Sequence, residues 1–153
     1  QLFDNSKRDQ FIENNLYLKL YKSGFAVFQD NPIFGVGNKN YRVITTKNIE
    51  TKINENYLLN THPHQIYIEF LSEHGLVGTI ILLSIFFYLI FKNLKIIILS
   101  RNSIQLGCFT YLILNFMPIL PSGSFFNDFS STLFWMNLSI MYACNEKTNI
   151  FSK

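Results

Sequence analysis

Three stretches of this sequence carry no charged side chain: Leu76–Phe91, Asn102–Asn127 and Phe129–Asn145. A helix that crosses a bilayer needs roughly 17–25 mostly apolar residues, and a charge at its centre costs about 2.5–3.5 kcal/mol. The pattern therefore predicts three spans, at about 75–93, 104–120 and 129–145. The first, GLVGTIILLSIFFYLIF, is the most apolar. The second, IQLGCFTYLILNFMPIL, runs into Pro118 and Pro121. The third, FSSTLFWMNLSIMYAC, contains Ser and Asn and should face other helices. A buried helical hairpin of a water-soluble domain is the alternative. A chain this small and charge-poor has too little polar surface to cover three such helices.

Composition supports that reading. Hydrophobic residues make up 48% and charged residues 15%, against a usual charged share of about 25%. That excludes intrinsic disorder. A net charge of +3 without a basic cluster excludes a phosphate-tracking surface, so no nucleic-acid partner is expected. Two Cys in 153 residues exclude a disulfide framework. The chain starts at Gln1 without a signal-peptide pattern, and is expected to be the C-terminal part of a longer protein.

Charge also orients the spans. Lys92, Lys95 and Arg101 lie between the first two, and Lys147 and Lys153 follow the third. The 121–128 connection holds only Asp128. The excess of positive charge on cytoplasmic loops puts 92–101 and the tail, 146–153, in the cytoplasm. Residues 1–74 and the 121–128 connection then lie outside. Cys108 and Cys144 fall at cytoplasmic ends and are expected to remain thiols. The expected fold class is all-α: a polytopic membrane protein fragment, with amphipathic helices and a loop in 1–74 and three transmembrane helices in 75–145.

Within residues 1–74, Asn14–Gln29 predicts an amphipathic helix with Tyr17, Leu20, Tyr21, Phe25 and Phe28 on one stripe. It would lie on the membrane surface or against the bundle, and Asp30-Asn31-Pro32 ends it. NPIFGVGNKNYR follows, in which Gly35 and Gly37 can take turns closed to other residues. A phosphate-binding loop is not supported: a third Gly and a Gly-Lys-Ser/Thr are absent, and the preceding element is helical. Arg42 carries a fork of donors suited to a phosphate or diphosphate. A surface salt bridge is the plainer role. Residues 43–60 are Asn-rich, without period, and predict an exposed loop.

All three His of the chain fall in THPHQIYIEFLSEHGLVG, Thr61–Gly78. Pro63 suits the first turn of a helix, with Thr61 or His62 as cap. On such a helix His64 shares a face with Tyr67, Ile68 and Leu71, pointing towards the apolar bundle. Gln65, Glu69, Ser72 and Glu73 form the polar face. Gly75 ends or bends the helix where the first span begins. The His spacing is poor for a metal, which needs three or four converging ligands. A structural role, bonded to backbone or Glu69, and a general-base role both remain open.

The order of these features, "NPxxGxGxxxYR" followed by "THPHxxYxExLxExGxxG" at the start of a membrane span, resembles the C-terminal part of the O-antigen ligase and O-antigen polymerase superfamily. The likeness covers roughly residues 14–145. It implies a bacterial inner-membrane glycosyltransferase whose donor is a glycan on undecaprenyl diphosphate. In a ligase the acceptor is a sugar hydroxyl of lipid A-core; in a polymerase it is another lipid-linked repeat unit. It implies no metal or nucleotide cofactor, residues 1–74 in the periplasm, and contact with membrane lipids. By residue, Arg42 matches the Arg after the glycine turn. His62 matches the first His of the HPH pattern, and His64 the loop histidine that most members follow with Asn. Here that Asn is Gln65. A further cation ahead of the amphipathic helix has its nearest counterpart in Arg8. The implied roles are Arg42 on the diphosphate, His64 as general base or orienting group, and His62 and Glu69 holding the loop or tuning the imidazole. Direct attack implies inversion at the anomeric carbon. The 153 residues alone are expected to be inactive, since other helices complete the cavity. The competing class is a non-enzymatic membrane subunit or transporter part. Spans without ionisable residues argue against ion coupling.

Overall fold

The structure, a computed structural model, describes residues 15–118 and 120–149. Arg8 lies outside them. Among the described residues every regular element is a helix: α1 Leu16–Asp30, α2 Tyr41–Thr51, α3 Ile66–Phe91, α4 Leu94–Ser100, α5 Ser103–Asn115 and α6 Asp128–Ala143. They fall into two compact units. One runs to Thr79 and takes in Pro121–Ser124; the other comprises Ile80–Leu120 and the residues from Phe125 onward.

In the first unit, α1 begins where Asn15 turns extended and its side chain accepts the N–H groups of Tyr17 and Leu18, at 3.1 and 3.3 Å. It stops at Asn31, ahead of Pro32, as expected. The buried stripe differs from the aromatic one read from the sequence. Leu20, Ser23, Gly24, Ala26 and Val27 are buried, whereas Tyr17 and Phe25 are each 47% exposed. The cause is close packing. A Cβ on Gly24 would stand 2.5 Å from Ile68 Cγ2 and 2.7 Å from Pro63 Cβ, so α1 meets its neighbours through its small residues.

Residues 43–60 are not one loop: α2 covers Tyr41–Thr51. Only Tyr41 and Thr45 of this helix are buried, so it shows no apolar period. It is held instead by its first residue. Tyr41 packs with Ala26, Val27 and Tyr57, and its hydroxyl is 2.8 Å from Ser23 Oγ. Lys52, with φ 48°, closes the helix in the left-handed region. The asparagines at and beyond this end have partners. Asn48 Nδ2 donates to Asn54 O, and Asn48 Oδ1 accepts Asn54 N–H, both at 2.9 Å. Asn54 Nδ2 and Tyr57 OH both donate to Asp30 Oδ2.

The second unit packs α5 and α6 together around Phe86, Phe116, Phe125 and Phe134, with ring centroids 5.1 to 6.3 Å apart. Its one fully buried amide, Gln105, donates to Met141 O at 2.8 Å and to Thr148 Oγ1 at 3.1 Å. Asn102 caps α5 and donates to Cys144 O at 3.0 Å. Cys108 and Cys144 are free thiols. Among the described residues, the helical run Ile66–Ser100 is the one long and apolar enough to cross a membrane. Only 22% of its apolar window is buried, unlike the core helix of a water-soluble protein. The stretches expected as second and third spans are helical over 13 and 16 residues, shorter than the ~20 a crossing helix needs.

Candidate functional site

The two motifs meet at a break in α3. Gly75 has φ 63° and ψ −170°, a conformation open essentially to glycine alone. The expected bend is therefore present, and it leaves backbone groups of the adjoining turns without helical partners. The 31–37 segment supplies them. Val36 N–H donates to Ser72 O at 3.0 Å and Gly37 N–H to Glu73 O at 2.7 Å. On the other side of the break, Leu76 N–H donates to Pro32 O at 2.8 Å and Val77 N–H to Ile33 O at 3.2 Å. Gly35, at φ +65°, crosses this point so closely that a Cβ on it would stand 2.6 Å from Gly75 N. Gly35 and Gly37 both adopt the positive φ anticipated for them.

Glu73 completes the join. It is 2% exposed. Its Oε2 accepts Lys39 N–H at 2.8 Å and its Oε1 accepts Tyr41 N–H at 3.4 Å. A carboxylate at the first turn of α2 satisfies N–H groups that Asn40, which makes no side-chain cap, leaves open. Sequence reasoning assigned Glu73 only to a polar face. Its signal was an acidic residue two positions before Gly75, meaningful only once the glycine turn of 35–37 is placed beside it.

Arg42 is the second residue of α2 and is exposed. It lines an open groove of about 650 Å³ with Val43, Thr46, Lys47, Asn60 and Thr61. Thr45 ties the far wall to α2, its hydroxyl donating to Asn60 O at 3.2 Å. Thr61 Oγ1 lies 2.9 Å from His62 Nδ1, and the His62 and His64 rings have centroids 4.0 Å apart. Arg42 and the imidazole pair are thus linked through Thr61.

His64 is not on a helix. α3 starts at Ile66, and His64 has φ 58°, a left-handed geometry costing a non-glycine residue about 1–2 kcal/mol. Gln65, not Thr61 or His62, caps the helix: its Oε1 accepts Ile68 N–H at 2.8 Å. Pro63 consequently precedes the cap and packs against α1. The left-handed turn lets His64 O accept Ser122 N–H at 2.9 Å, and leaves its ring half-buried, edge-on to Tyr17 at 5.9 Å.

Glu69, 1% exposed, accepts a hydrogen bond from Ser124 Oγ through Oε1. It stands apart from the groove and, with His64 O, clips the 121–124 segment in place. Ser122 and Ser124 were not singled out in the sequence, because nothing local links them to residues some 55 positions away. Burial, and next the neighbouring His64, hold the His62 imidazole below its ordinary pKa. The Ser122 backbone pulls the other way without completing a hydrogen bond to Nε2. Among the described residues no three His, Cys, Asp or Glu side chains converge.

A family model described as O-antigen ligase matches residues 2–83, a span that holds both motifs and the break that joins them. No curated protein and no solved structure matches the chain. The matched span is more than half of the sequence, and the chain belongs to the O-antigen ligase family.

Proposed function

We propose that this chain is the C-terminal part of an inverting, metal-independent inner-membrane glycosyltransferase. It would transfer a glycan from undecaprenyl diphosphate to a sugar hydroxyl, in the first instance of lipid A-core. Residues 1–74 face the periplasm, spans at 75–93, 104–120 and 129–145 cross the bilayer, and the C-terminus is cytoplasmic. The observation that carries this reading is the shared groove of Arg42 and Thr61, with Thr61 bonded to one of two adjoining imidazoles. A cation suited to diphosphate thus lines a groove with Thr61, whose hydroxyl meets the first of two adjoining imidazoles, and an imidazole suits a hydroxyl as base.

In this mechanism the Arg42 fork holds oxygens of the donor diphosphate. The acceptor oxygen attacks the anomeric carbon as its proton passes to the His64 imidazole. The bond from that carbon to the diphosphate oxygen breaks, and undecaprenyl diphosphate leaves with the electron pair, so the configuration inverts. Two imidazoles 4.0 Å apart disfavour both carrying a positive charge. Burial first and the neighbouring ring second lower the His62 pKa, and the base role is assigned to His64 by its place in the motif. Glu69, through Ser124, keeps the 121–124 segment against His64.

The test is complementation by the full-length protein in Gram-negative hosts lacking either ligase or polymerase, with His64→Ala alongside, read on lipopolysaccharide gels. Capping of lipid A-core in the ligase-deficient host, lost with His64→Ala, is the expected result. A ladder restored only in the polymerase-deficient host would make the protein a polymerase. Capping that survives His64→Ala would remove the base role.

A further inference from the structure

The 31–37 segment presents two large apolar side chains that stand mostly exposed. Phe34 is 74% exposed and Ile33 58%. The hydrogen bonds of Leu76 N–H to Pro32 O and Val77 N–H to Ile33 O fix the backbone beneath them to the first residues after the break. Leu76 and Val77 are themselves 51% and 42% exposed. The backbone bonds thus bring four exposed apolar residues together at the entry to the longest apolar helix. Exposed patches of this kind mark a contact surface rather than a free one.

We infer that Ile33 and Phe34 insert into the outer leaflet at the membrane boundary, where they set the depth at which the Arg42 groove stands. The occupant is lipid because Leu76 and Val77 belong to the helical run Ile66–Ser100, which is long and apolar enough to cross a membrane and has only 22% of its apolar window buried. Whatever medium bathes Leu76 and Val77 also bathes the loop bonded to them. The register is rigid because glycine backbones meet with no room for a side chain between them. The same segment continues through Lys39 and Tyr41, both held by Glu73, to Arg42. A diphosphate bound to a membrane lipid lies at headgroup level, and a wedge in the leaflet holds Arg42 near it. The inference rests on the reading of 75–93 as a membrane span.

The experiment places a nitroxide on Phe34→Cys, and separately on Ile85→Cys, in the intact protein freed of other reactive cysteines and reconstituted in lipid nanodiscs. Collision of the label with oxygen, which concentrates in lipid, is compared with collision with a water-soluble nickel chelate. Both labels should meet oxygen in preference to nickel, with Phe34 at the shallower depth. If the Phe34 label meets nickel while Ile85 stays in lipid, the loop is aqueous and the inference fails, but the span stands. If Ile85 also meets nickel, the span and the inference fall together. A Phe34 label that meets neither reagent is buried against protein, which also overturns insertion. Ile33→Cys reads the same surface should the Phe34 variant not yield a monodisperse protein.

Discussion

Gly35 and Gly75 touch backbone to backbone: a Cβ added to Gly35 would stand 2.6 Å from Gly75 N. Each residue also holds a positive φ, +65° and +63°. Both conditions exclude side chains, so Gly35→Ala and Gly75→Ala should each destabilise by about 1–3 kcal/mol. A Cβ on Gly35 would press on Glu73 and Gly75 and one on Gly75 on Ile33 and Phe34; both open the same join, so the double variant should cost less than the sum. Thermal unfolding of the four proteins in detergent checks this; additive losses would mean that the glycines act independently.

Glu73 spans the same join from the side-chain direction. Glu73→Gln keeps one acceptor oxygen but turns an NH2 group towards a backbone N–H. A buried donor without an acceptor costs about 1–3 kcal/mol. The loss should be local to the start of α2, because Lys39 and Tyr41 are the residues released. Hydrogen exchange of the amides in residues 39–45 should quicken while those of α5 and α6 stay unchanged. Uniform quickening would show that Glu73 supports the whole fold instead.

Much of this arrangement was readable from residue types, and the misses share a cause. The Pro32 stop, the bend at Gly75 and the two turn glycines are local, and each followed from a residue whose backbone options are narrow. α2 was missed because it buries only Tyr41 and Thr45, and a helix held by one anchoring residue shows no apolar period. His64 was assigned to a helix because Pro63 suits a first turn. What excludes that is the close approach of Pro63 to Gly24 and the bond from Ser122 to His64 O, both long-range. The aromatic stripe of α1 failed similarly. Packing at Gly24 admits only small residues, which turns Tyr17 and Phe25 outward, and no helical period reveals how near a neighbour will come.

The His62 shift has a sign that can be tested. Its folded pKa is lowered from the model-compound value of 6.5 by burial first and His64 second. Below about pH 6.5 the unfolded chain therefore takes up a proton that the folded protein resists. Stability from this group is complete above pH 6.5 and declines as pH falls towards the folded pKa. His62→Asn removes the titration. Melting temperatures from pH 8 to pH 5 should fall less steeply in the variant than in the wild type, and parallel curves would assign the acid sensitivity to another group.

Arg42 offers the sharpest separation of fold from function. It is exposed and lies on the groove wall rather than in the core, so Arg42→Lys and Arg42→Ala should melt like the wild type. Their activities should differ if a diphosphate is the ligand. Lys keeps the charge but loses the two parallel donors that match phosphate oxygens. Arg42→Lys should therefore slow glycan transfer by at least about tenfold, and Arg42→Ala by about 10²–10³-fold, the scale seen when one stabilising donor is removed from an active site. Lys47 lines the same groove and serves as the control for charge alone, since a loose electrostatic role would make Lys47→Ala as damaging as Arg42→Ala. Transfer measured with purified full-length protein and lipid-linked donor decides it: equal losses at the two positions, or full activity in Arg42→Lys, would remove the bidentate clamp from the mechanism and leave Arg42 as part of a diffuse positive surface.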